Sequence, residues 1–441
     1  MDAAVAAVVL TLYMPPTLAL WWARRCARVL QPRMRLVFPA LCAWLCSLVG
    51  PATAWTPEVP CSISLLWFGL GIAGSTAYVT AAIVLVLRYR VTEMLFNAMS
   101  LQSAVLDSLR WLRFGLHPPV HISACLLTTL VSLGCVIGLL DAPSSAVLEA
   151  TTCLSPSTQL YMGVALALLG AVGAYVSVML YAVDDVYGLQ WAYQRTLQVS
   201  VVVLLGVGGG RYVESHFQGS MLNDYGVGTL LCVLLPHTLF LINVVPPLYQ
   251  LGMRHRIVEP NAVAPDDIAL FQRFLRRPDT YLVFLQYCRL ALRLEELLSW
   301  KAIERGTNKP WTLRSGWKLY TRCMDPSAPL LTHAGRRWRP YYMAKLKTSR
   351  LRIQPDDAPL PRGFFEPLMT DLVLDLYLDV LPWFERHSLG LAWHEFRFYN
   401  VHTTQRTQSG ARVSGSRRSS FVISSPLEPI PVSRNEDDVA T

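Results

Sequence analysis

Seven stretches of this chain are apolar almost without interruption, and all of them fall before about residue 250. They cover approximately 4–23, 36–55, 63–87, 122–141, 159–183, 197–213 and 226–249. A hydrocarbon core about 30 Å thick is crossed by roughly 20 helical residues rising about 1.5 Å each, so each stretch has the length of a membrane span. The sixth is the weakest, because "LLGVGGGRYVESHF" runs into glycines and then Arg211. The first reads as a span rather than a secretory leader. It opens "MDAAVA" without a basic segment, contains Pro15 and Pro16, and leads directly into Arg24 and Arg25.

From about Pro265 the period changes to that of amphipathic helices in water. "DDIALFQRFLRR" opens with two acids, which suit the positive end of a helix dipole. The pattern predicts helices over roughly 265–276, 279–291, 293–304, 310–324, 337–347, 363–376 and 377–387, with no strand-like alternation between them. Proline and glycine at 306–310, 326–328 and 355–363 separate the pieces. In "LRLEELLSWKAIERG" (292–306), Leu294, Leu297 and Leu298 recur with Leu290 at helical spacing and are expected to face a core. After about 403 the sequence turns rich in Ser and Arg and poor in apolar residues, too little to order itself by burial. The expected fold class is therefore all-α: a seven-helix membrane bundle over 1–250, a helical domain over 265–390, and a disordered tail over 403–441.

Hydrophobic residues make up 53% of the chain and charged residues 16%, which agrees with a membrane solvent for the first half. Arginines set its orientation. Arg24, Arg25, Arg28, Arg33 and Arg35 follow the first span, Arg88, Arg90, Arg110 and Arg113 follow the third, and Arg254 and Arg256 follow the seventh. The facing loops "TPEVPCS" and "APSSAVLEATTCLSPST" hold no Lys or Arg, so the amino terminus is expected outside and everything after residue 250 inside. The net charge of +9 belongs to these membrane-end clusters, where anionic lipids attract it, and does not point to nucleic acid. His237 is the one ionisable group deep within a span, read first as a structural histidine. The spans hold no paired acids of the kind that couple ions to transport, and the chain holds no pattern calling for a metal or cofactor. Half of the ten cysteines lie in apolar runs (Cys42, Cys46, Cys125, Cys135, Cys232), whereas Cys61 and Cys153 stand on the outer side and Cys26 lies in the first basic loop, a candidate for palmitoylation.

Two blocks in the second half share an order and a spacing with a known family. The first is Phe284, then Glu295, Leu297, Leu298, Trp300 and Glu304; the second is "FFEPLMTDLVLDLYLDVLPWFERH" (364–387), with Phe365, Asp379 and Phe384. Together they resemble the regulator of G-protein signalling (RGS) box over about 265–390. The resemblance implies a nine-helix bundle that binds an active Gα subunit and speeds its GTP hydrolysis. Such a box supplies no catalytic group of its own; it holds the GTPase's switch segments so that the Gα's own residues do the chemistry. The family's Gα-facing positions fall on Glu295 and Glu296 (a Glu-Asn pair in the family), Arg352 (a loop asparagine), Asp379 (retained) and Trp383 (an arginine). Glu296 cannot donate the amide hydrogen bond and Arg352 cannot accept one. Two readings follow, an accelerator fitted to a divergent Gα or an RGS-shaped scaffold without acceleration, beside an unrelated helical domain.

Seven spans followed by such a box resemble the seven-transmembrane RGS proteins of plants, fungi and protists. That resemblance implies a plasma-membrane regulator of a Gα, responsive to a small extracellular ligand. Cys61 at the top of the third span and Cys153 in the next outer loop resemble the disulfide pair of G-protein-coupled receptors; unpaired outer thiols are the alternative. "NVVPPLY" (243–249) and "RYR" (88–90) are loosely similar to receptor motifs. A receptor that uses the box for docking, and a transporter with a regulatory domain, are the rival readings. In the tail, Ser419 and Ser420 behind two arginines, and Ser425 before Pro426, are candidates for phosphorylation.

Overall fold

The computed structural model describes residues 38–39, 41–43, 45–46, 61–97, 109, 111–138, 156–186, 188–216, 242, 265–307, 310–351 and 358–410. They fall into two compact units that divide after Trp393. Among them there is no strand, only one isolated bridge between Thr312 and Pro359. The all-α class is what the sequence leads one to expect.

Four helices occupy the apolar half: α1 (Cys61–Asn97), α2 (Pro118–Gly138), α3 (Pro156–Leu180) and α4 (Leu189–His216). They coincide with four of the seven predicted spans. The first predicted span, the seventh apart from residue 242, and most of the second lie outside the described residues, as do His237, Cys26, Cys153 and therefore the Cys61–Cys153 pairing. Among the described residues, three helical stretches are long and apolar enough to cross a membrane, Leu65–Asn97, Pro119–Ile137 and Gly163–Leu180. Asp185 caps the start of α4 by accepting from the N–H groups of Leu189 and Gln190, both at 2.8 Å. Phe68 and Ile72 of α1 bury against Val136 of α2, with Leu133 and Tyr161 packed around them. The outward faces stay apolar, as with Leu126 and Leu130 on α2 and Leu168 and Val178 on α3, which suits hydrocarbon and not water.

α1 continues ten residues past the expected end of its span, through "RYRVTEMLFN" to Asn97, because Val91 and Leu95 are buried at helical spacing. Arg88 and Arg90 therefore ride on a helix and not in a loop.

Eight helices follow: α5 (Pro265–Arg276), α6 (Pro278–Leu290), α7 (Leu294–Thr307), α8 (Leu313–Cys323), α9 (His333–Leu351), α10 (Glu366–Asp379), α11 (Leu381–Phe384) and α12 (Leu391–Gly410). Their centre is aromatic. Phe271, Phe274, Phe284, Tyr287, Phe384 and Trp393 meet at centroid distances of 5.1–6.5 Å, mostly edge to face. Trp393 is anchored by an indole N–H donated to Glu385 at 2.8 Å. A second group, Trp311, Tyr342, Phe364 and Phe365, closes the far side.

Three boundaries depart from expectation. α9 starts at His333 because Thr332 accepts from the Gly335 N–H at 2.9 Å, and Gly335 lies so close to the Cys323 carbonyl that no Cβ fits. The predicted helix 377–387 is divided between the end of α10 and the four-residue α11, and a 3-10 turn at Ser388–Gly390 follows it. α12 was not predicted, and it runs to Gly410, eight residues into the stretch read as tail.

The start of α8 is a capping box. Thr312 accepts from the Ser315 N–H at 3.3 Å, while Ser315 accepts from the Thr312 N–H at 2.9 Å. Thr312→Ala is expected to cost about 1 kcal/mol of stability. A denaturant titration followed by tryptophan fluorescence checks this; an unchanged midpoint would contradict it.

Candidate functional site

The turn between α6 and α7 decides where the acidic residues of the candidate site point. After Cys288 the helix closes with a Schellman motif: the Arg293 N–H donates to Cys288 O at 2.9 Å and the Leu292 N–H to Arg289 O at 3.1 Å. The left-handed position of that motif is Leu292, with φ 53°, a place that usually falls to glycine. A left-handed leucine costs roughly 1–2 kcal/mol, offset here by near-complete burial of its side chain. The reversal sends Arg293 back over the first turn of α7.

Arg293 then gathers two of the predicted acids. Its guanidinium pairs with Glu296 at 2.7 Å and lies 3.9 Å from Asp379 of α10. Both carboxylates are buried, so the pairing offsets a desolvation cost that neither could bear alone. The two sequence blocks, more than eighty positions apart, thus meet at one point. Glu295, one residue round the helix, turns away from Arg293 to Arg113, which lies 3.5 Å distant on a helical turn at 111–115. Arg88 is close enough to pull the Glu295 carboxyl toward ionisation, and Glu296 close enough to oppose it. Three carboxylates (295, 296, 379) thus lie among the guanidiniums of Arg88, Arg113 and Arg293, with Arg336 also close enough to act on Arg88 and Arg113. The core residues of the same blocks behave as expected: Leu294, Leu297, Trp300, Phe365 and Phe384 are buried, and Leu290 and Leu298 are half-buried. Glu304 ties α7 to α5 through Arg276 at 3.4 Å and to Lys301 at 2.8 Å. Trp383 is half-buried with the Arg386 guanidinium 5.8 Å from its ring centre, so a guanidinium lies beside the position where the resemblance lacks its arginine. Arg352, Ser419, Ser420 and Ser425 lie outside the described residues.

The residues that sequence reasoning missed are those contributed by the membrane half. Arg289 forms a bidentate pair with Glu93 of α1, Nε to Oε1 at 2.5 Å and Nη2 to Oε2 at 2.9 Å. The same guanidinium lies 4.7 Å from the Phe96 ring centre, and the Glu93 bond holds its pKa above the ordinary arginine value. The sequence signal was an acid, Glu93, close behind Arg88 and Arg90 at the end of the third span.

Burial raises the Glu295 carboxyl above the usual carboxylate range, with Arg113 drawing it partly back. Burial likewise lowers the Arg113 guanidinium, with Glu295 opposing that shift. A carboxyl with a raised folded pKa contributes stability that is present at acid pH and is lost as pH rises through the folded value. The protein is therefore expected to gain stability here as pH falls through the raised folded value toward the ordinary carboxylate range, and Glu295→Gln to flatten that gain. Thermal melts across this window check the sign; an undiminished slope in Glu295→Gln would contradict it.

Among the described residues no group of His, Cys, Asp or Glu is arranged to hold a metal ion. Compared with known proteins, the chain matches no family model, no curated protein and no solved structure.

Proposed function

We propose that this chain is a membrane-anchored regulator of heterotrimeric G-protein signalling. Its helical domain binds an active Gα and accelerates GTP hydrolysis. The observation that carries this reading is the meeting of the two RGS-like blocks: Glu296 and Asp379, distant in sequence, share Arg293 above a core built from Phe284, Leu297, Trp300 and Phe384. Arg386 beside Trp383 adds a cation to the same block. In this reading seven helices span the plasma membrane, with the amino terminus outside, and a tether to the membrane raises the local concentration of a lipid-anchored Gα without any new contact.

The substitution of glutamate for the family's asparagine at Glu296, and its engagement by Arg293, favour a second reading. There the domain docks a G protein without accelerating it, and the membrane half acts as a receptor. Single-turnover GTP hydrolysis by a Gα from the same cell, with the full-length protein in lipid nanodiscs, separates the two. Acceleration is the expected result. Nucleotide exchange driven by the protein, with hydrolysis unchanged, would replace the first reading by the second.

A further inference from the structure

The acidic face just described is not open. Three separate segments of the membrane half converge on the corner between α6 and α7. The inner end of α1 supplies Glu93 and Phe96 to Arg289. The turn at 111–115 supplies Arg113, which reaches Glu295 at 3.5 Å and also donates to the Pro329 carbonyl. The turn after α3 supplies the Val186 N–H, which donates to the Leu290 carbonyl at 3.3 Å.

We infer that this corner is a latch, in which the inner end of the membrane bundle covers Glu295 and an active Gα reaches it only after the Glu93–Arg289 and Arg113–Glu295 contacts open. This rests on the function proposed above. The geometry requires competition, because a partner seated over Glu295 meets Arg113 and the turn that carries it. The chemistry makes the contact reversible. It includes a bidentate ion pair at partly water-accessible positions, the Arg289 side chain being 36% exposed and Glu93 19%, where such a pair holds weakly. Burial also works against the ionised form of Glu295 while it is covered, so opening returns that carboxylate to water. The box thus has two states, held and released, and anything that moves the inner ends of α1 and the 111–115 turn shifts their balance. By linkage, Gα binding shifts it in turn.

The test uses the full-length protein in phosphatidylcholine nanodiscs with two readouts, amide hydrogen exchange over 88–97 and 289–299, and single-turnover GTP hydrolysis by Gα. Glu93→Arg places two cations face to face and is expected to speed exchange in both segments and raise acceleration about tenfold, within the usual range of coupling between sites. Glu93→Arg combined with Arg289→Glu restores the pair with reversed sign and is expected to return both readouts to the parent values. If Glu93→Arg fails to fold, Glu93→Gln is expected to move both readouts in the same direction by less. Unchanged exchange would overturn the latch. Faster exchange with acceleration equal to that of the parent would overturn the gating. Faster exchange with no acceleration by any variant would overturn the Gα reading, and the gating with it, while leaving the contact itself established.

Discussion

Phe284→Ala is expected to be the most damaging single substitution in the helical domain. The Phe284 ring is fully buried and touches Phe271, Phe274, Tyr287 and Phe384, at centroid distances of 5.4, 6.2, 6.5 and 5.1 Å. Removing it loses the transfer free energy of the ring and leaves a cavity lined by rigid aromatic neighbours that relax poorly. The expected cost is about 3–5 kcal/mol. A domain holds only about 5–15 kcal/mol in total, so the loss removes a large share of it. Leu282→Ala provides the contrast on the same helix, because Leu282 is 55% exposed and its loss is expected to fall within about 0.5 kcal/mol. Near-ultraviolet circular dichroism during chemical denaturation compares the two. Equal destabilisation would contradict the packing described here.

The second large effect belongs to Arg293. Replacing it by methionine leaves Glu296 and Asp379 buried without their shared cation, and breaking a buried pair in this way costs about 3–5 kcal/mol. The penalty arises from buried charge that has lost its cation, so it has a signature that a packing defect lacks. Combining Arg293→Met with Glu296→Gln and Asp379→Asn is expected to recover most of the loss, since neutral groups do not need the guanidinium. Denaturation midpoints of the three proteins test this. A triple variant no more stable than the single one would show that Arg293 acts through packing instead.

How much of this was legible beforehand differs between the fold and the site. The helices were legible because their apolar positions repeat at a helical period. α5 occupies 265–276 as read, and α6 and α7 agree within three residues at each end. The misses share a cause, which is that the deciding contact is distant in sequence or hidden in a cap. The sequence pattern places the start of α9 near 337, yet Thr332 and Gly335 begin it four residues earlier, with Pro340 inside the helix. α12 escaped notice because "LAWHEFRFYN" lacks a clean apolar stripe, although Trp393 enters the aromatic centre. At the site, the residue types at 295, 296 and 379 were identifiable from their order, and Arg293 supplies the reason Glu296 and Asp379 come together. What no local pattern conveys is that Glu295 has a partner nearly two hundred positions earlier, and Arg289 another. A face read as open to a partner is covered by the chain's own membrane half. Pairing of isolated charges across such distances is a property of packing, not of periodicity.

The central claim, that a helical domain beneath a membrane bundle recognises the transition-state form of a Gα, is tested most directly by affinity across nucleotide states. The full-length protein in nanodiscs is titrated with one Gα loaded in turn with GDP, with a non-hydrolysable GTP analogue, and with GDP and aluminium fluoride. The account predicts tightest binding to the aluminium fluoride form, weaker binding to the GTP analogue and weakest to GDP. Binding that ignores the nucleotide, or prefers the GDP form, would contradict it.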